Sequence, residues 1–172
     1  IVGILLLWNS FGNFSQTFRE NRANYLYIMF CTLLLVWILY FYFFFENRRM
    51  LTDGKNIALV FSVLDFSIVV SFLFGNYLHI YARPVALCAL LMFILVGRRE
   101  AVFVNMVCAI LLFIVDAFSD NAATANSVYS SFIIAFTAGM IAIFFGNKAK
   151  TRFQIVGIGL IIVIPVDVII FL

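Results

Sequence analysis

Long apolar runs separated by short polar clusters make up most of the chain. Six such runs cover roughly 25–45, 57–74, 77–96, 101–118, 122–145 and 153–172. Each is close to the ~20 residues that carry a helix across the hydrocarbon core of a bilayer. The runs are continuous, whereas the strands of a membrane barrel alternate apolar and polar positions over about ten residues. The pattern therefore predicts an all-α fold, a polytopic transmembrane helical bundle with six spans visible. Ahead of the runs, residues 1–24 read as a junction from a preceding extracellular domain. Its opening stretch IVGILLLWNS is too short to cross before Asn9 interrupts it. It reads as the end of a preceding helix or as an interfacial segment. There is no internal repeat and no low-complexity linker.

Composition agrees with the pattern. Hydrophobic residues make up 66% of the chain and charged residues 11%. A soluble domain carries roughly 45–50% and about 25%. The chain starts without methionine and stops inside an apolar run, so a piece of a longer protein is expected.

Charge orients the spans. Of the 11 Lys and Arg, most fall in alternate loops: Arg48, Arg49 and Lys55; then Arg98 and Arg99; then Lys148, Lys150 and Arg152. Only Arg19, Arg22 and Arg83 belong to the other side, where the loop DAFSDNAATANS has acids and no base. Basic loops stay in the cytoplasm. That places loops 46–56, 97–100 and 146–152 inside, residues 1–24 outside, and the chain in the cell membrane. The turn GRRE is then cytoplasmic, with Gly97 capping a helix. NYLHIYARP lies at the outer face, with Pro84 in the first turn of the third helix.

Four charges lie at or within the membrane: Asp65, Arg83, Asp116 and Asp167. Charges there are costly and usually point into the bundle. Arg83 and Asp116 both lie at outer helix ends, so they can pair. One possibility is an outward-opening ligand or ion pocket, with Arg83 and His79 contacting an anion. The plainer alternative is an interhelical ion pair, with the aspartates fixing helix packing. Asn105, one turn into the fourth run, suits interhelical contact. Ser127, Ser131, Ala135 and Gly139 recur every fourth residue and form a small-residue stripe for close packing. Cys31, Cys88 and Cys108 all lie in apolar runs without CxxC spacing and read as packing residues. One histidine and no converging acids or thiols give no metal site. There is no nucleophile and base pair, no phosphate loop, and no nucleic-acid surface beyond the basic loops, which suit lipid contact. Asn13 opens an NFS glycosylation pattern that is common by chance.

The order of features resembles a known family. An arginine-bearing loop leads into helix two (FENRRMLTDGKNIALVFSVL). A proline opens helix three, which has a central methionine (RPVALCALLMFILV). An Arg-Glu-Ala turn starts helix four (GRREAVFVNMVCAILLF). A helix with a late glycine (FIIAFTAGMIAIFFGNKAKTR) and a glycine-bearing sixth helix (FQIVGIGLIIVI) follow. Over roughly residues 20–172 this is similar to the membrane domain of the bacterial seven-transmembrane HD hydrolases. The resemblance implies an extracellular domain before the bundle and a seventh helix after it. It also implies a cytoplasmic HD domain that hydrolyses cyclic di-AMP with a divalent metal pair held by His and Asp. Those metal ligands are absent here, so no catalytic residue is assigned to this chain. The bundle would anchor the enzyme and sense a ligand outside the cell. The alternative is a six-helix membrane carrier subunit that binds a small molecule. Such carriers dock through small residues on their first helix, and YLYIMFCTLLLVWILYFYFFF is bulky throughout.

Overall fold

The computed structural model describes residues 22–48, 52–77, 82–117 and 125–146, together with 157, 159, 161–164 and 166–168. Its helices are α1 (Arg22–Glu46), α2 (Gly54–Tyr77), α3 (Leu87–Leu95), α4 (Arg98–Ala117) and α5 (Ala125–Gly146). Residues 161–164 and 166–168 are also helical. No strand occurs among the described residues. Runs this rich in Phe, Tyr and Val carry no strong intrinsic helix preference in water. In hydrocarbon the constraint is different, because each segment must satisfy its own backbone N–H and C=O groups, and a helix does so. Helices α1, α2, α4 and α5 are each long and apolar enough to cross a membrane.

The third run departs from expectation. Residues 77–96 do not form one spanning helix. Tyr77 closes α2, residues 82–86 form turns, and α3 has 9 residues. At 1.5 Å per residue that is roughly 13 Å, short of a bilayer core. Pro84 supplies the reason. It has no N–H to donate, and it biases the residue before it away from helical geometry. The chain turns there instead: Val85 N donates to the Arg83 carbonyl at 2.8 Å, and Leu87 N donates to the Pro84 carbonyl at 3.0 Å. Pro84 thus precedes the helix, whose N-cap is Ala86, and is not in its first turn. At the other end Val96 N and Gly97 N both donate to the Met92 carbonyl, at 3.0 and 3.1 Å. Gly97 has φ +151°, which glycine tolerates best. The expected loop 97–100 shrinks accordingly, since Arg98, Arg99 and Glu100 already belong to α4. The expected loop 46–56 also shortens, with α2 beginning at Gly54.

Helix α4 is the centre of the bundle and packs against α1, α2, α3 and α5. Its inward residues include Ala101, Val104, Cys108, Leu112 and Val115. α5 offers α4 a face of small residues (Ser131, Ala135, Ala138, Gly139, Ala142), which lets the two backbones approach closely. α1 is the most exposed span. Among its described side chains Ile28, Leu35, Leu39 and Phe43 are the buried ones, a stripe at helical spacing. Its Leu26, Phe30, Trp37, Phe41 and Phe45 face outward, as lipid-contacting side chains do.

The contacts fix how the helices alternate. The end of α1 meets the start of α4: Arg99 Nη1 donates to Glu46 Oε1 at 2.9 Å, and Asn47 Nδ2 donates to Glu100 Oε1 at 3.2 Å. Tyr42 stacks on Phe103 with ring centroids 3.8 Å apart. Arg98 lies 5.0 Å over the Phe144 ring, near the end of α5. The opposite end of the bundle gathers the turn before α3, the end of α4 and the start of α5.

Candidate functional site

At that opposite end a buried polar cluster joins helices that are distant in sequence. Arg83 comes from the turn that Pro84 imposes. Asp116 lies in the last turn of α4 and Ser131 near the start of α5. Arg83 Nη1 donates to Asp116 Oδ2 at 2.6 Å, and Ser131 Oγ donates to the same oxygen at 3.2 Å. The two charged side chains are only 7% and 5% exposed. The guanidinium rests on Gly75 of α2, where any Cβ would collide with it. Arg83 Nε is buried and has no hydrogen-bond partner among the described residues.

This geometry ties the end of α4 to α5 and to the turn before α3. A buried arginine–carboxylate pair gains little net energy over an apolar contact. Removing one partner, however, strands the other charge and costs about 3–5 kcal/mol. The pair therefore enforces one arrangement of the α2, α4 and α5 ends and the lead into α3. Arg83 is turned inward and engaged, so it does not present itself to an external anion in this arrangement. His79, its expected companion, lies outside the described residues, as do Asn13 and residues 1–21 of the expected 1–24 junction, whose last three residues instead open α1.

Asn105 forms a second polar seat. It is 2% exposed on α4, and its amide packs against Gly139 of α5 where a Cβ would sit. The contact between helices is steric, because Nδ2 is buried without a hydrogen-bond partner among the described residues. Gly139, Ala135 and Ser131 share the buried face of α5, while the side chain of Ser127 lies outside the described residues. Cys88 and Cys108 are buried in the main core and Cys31 is exposed; all three are free thiols.

Asp65 occupies a different setting. It lies at mid-length of α2, half-buried, and makes no hydrogen bond or ion pair among the described residues. It lines a cavity of about 220 Å³ whose other walls include Leu35, Leu39, Leu64, Ile68 and Val107. Asp167 is exposed and takes no part in the Arg83 cluster. Two features escaped sequence reasoning: the Gly75 seat and the cavity. The spacing of "FGNYLHIYARP" holds a weak signal for the first, since a glycine one turn from a helix end can admit a large neighbour. The cavity has no local signal, because its walls come from three helices.

Among the described residues no three His, Cys, Asp or Glu side chains gather as a metal set. Neither the curated proteins nor the solved structures yield a match to the chain. Residues 22–172 match the family described as the 7TM receptor with intracellular HD hydrolase, and the chain belongs to that family.

Proposed function

We propose that this chain is the membrane-anchoring and signal-sensing bundle of a protein whose cytoplasmic HD domain hydrolyses cyclic di-AMP. The buried Arg83–Asp116–Ser131 cluster is the observation that carries the sensing part. Charge asymmetry supports an orientation with this end of the bundle outside the cell and the Arg98–Arg99 end inside. An extracellular event that separates Arg83 from Asp116 would free the end of α4 from the start of α5. Those helices run on to the basic end, where a cytoplasmic domain can register their displacement. A buried ion pair suits such a device because its two states, closed or separated, differ discretely. The metal pair and the chemistry on the nucleotide belong to the HD domain.

The test uses the full-length protein in liposomes with cyclic di-AMP as substrate. Arg83→Ala and Asp116→Asn should change kcat at least threefold and leave KM unaltered, because neither residue approaches the nucleotide. Equal kcat in folded variants would reduce the bundle to an anchor. Absence of cyclic di-AMP hydrolysis by the wild type would remove the substrate assignment and revive the carrier alternative.

A further inference from the structure

The cavity beside Asp65 is chemically lopsided. α1 and α2 both lean on α4, and the space lies in the cleft between them, with Val107 and Leu111 as its floor. Val36 at its edge is 47% exposed, and Phe61 and Asp65 are half-buried, so it opens toward the surface that faces lipid. Apart from Asp65 and Thr32, every lining residue is apolar. The Thr32 hydroxyl donates within its own helix, to the Ile28 and Met29 carbonyls at 3.0 and 2.9 Å. The Asp65 carboxyl therefore borders an apolar space in which no described residue offers it a donor. Carboxylates at such depth are normally paired.

We propose that this cavity binds a small hydrophobic amine, whose nitrogen donates to Asp65 and whose hydrocarbon body fills the cleft between α1 and α2. Size is adequate: a dry protein cavity of about 150 Å³ holds benzene. The extra space here admits a short aminoalkyl arm. Depth selects the class. Asp65 is roughly 16–18 Å along α2 from either end, too deep for the ammonium of a lipid headgroup. A bare inorganic cation also fits poorly, because hard cations require several oxygen ligands and this wall supplies one carboxyl and one hydroxyl. The proposal is independent of the nucleotide that the HD domain hydrolyses.

The experiment measures binding of labelled 2-phenylethylamine to the full-length protein in nanodiscs, with empty nanodiscs subtracted and no hydrolase assay involved. Saturable binding is expected for the wild type. Asp65→Asn removes the charge and should weaken binding at least tenfold. Val107→Phe keeps the charge and fills the floor of the cavity; it should weaken binding to a similar extent. Ethylbenzene, which lacks the amine, should bind the wild type and Asp65→Asn alike. Absence of saturable amine binding by the wild type would overturn the proposal, as would wild-type affinity in either variant. An oligomer that depends on Asp65 and is indifferent to the amine would also overturn it, by assigning the carboxyl to a side chain of a second copy.

Discussion

Two polar side chains inside this bundle sit on glycines of neighbouring helices: Arg83 on Gly75 and Asn105 on Gly139. Each seat exists because hydrogen replaces a side chain there, and each makes a sharp test. Asp116→Ala would leave Arg83 buried and unpaired, so a loss of about 3–5 kcal/mol is expected in detergent unfolding. A loss below about 1 kcal/mol would mean that Arg83 reaches water instead. Gly139→Ala would drive a methyl group into the Asn105 amide. Trimming that amide should undo the damage, so the Asn105→Ala/Gly139→Ala double variant is expected to be more stable than Gly139→Ala alone. Simple additivity in that double-mutant cycle would show that the two residues do not touch.

At the scale of elements, α3 shows how one residue can divide an apolar run. The composition of 77–96 suits a span, and the length is right. Hydropathy is blind to backbone geometry, however, and Pro84 turns the chain before the helix starts. The same turn delivers Arg83 to Asp116, so the shortened helix and the buried pair have one cause. Gly97 ends the helix at a φ that other residues adopt at a cost of about 1–3 kcal/mol. Gly97→Ala is expected to lower stability by that amount, read from the unfolding midpoint in mixed micelles. An unchanged midpoint would show that the α3–α4 turn relaxes freely.

Across the whole molecule the two ends differ in kind. One is closed by a buried pair. The other carries the exposed Arg99–Glu46 pair, at 81% and 44% exposure, alongside stacked aromatic rings. Exposed pairs contribute about 0–1 kcal/mol, so Arg99→Ala should scarcely shift the unfolding midpoint where Asp116→Ala shifts it clearly. The assignment of sides is testable separately. A cysteine at position 82 should react with an impermeant maleimide in intact cells, and one at position 55 only after permeabilisation. The reverse pattern would invert the bundle and, with it, the direction of signalling.

By itself the sequence determined the class of the protein, the number of long apolar runs, the alternation of basic loops and the family. These follow from composition and from one-dimensional spacing. It also brought Arg83 and Asp116 into view as possible partners, since both lie at helix ends on the same predicted side. Only the tertiary structure decided that the pair is buried and oriented inward, that Gly75 and Gly139 are seats for polar side chains, and that Asp65 borders an apolar cavity. The physical reason is common to all three. Lipid rewards nearly any apolar residue on any face of a helix, so hydrophobic periodicity, the usual signal of which side faces the core, is largely erased. Which faces meet is then settled by close packing and a few polar contacts between helices that lie far apart along the chain.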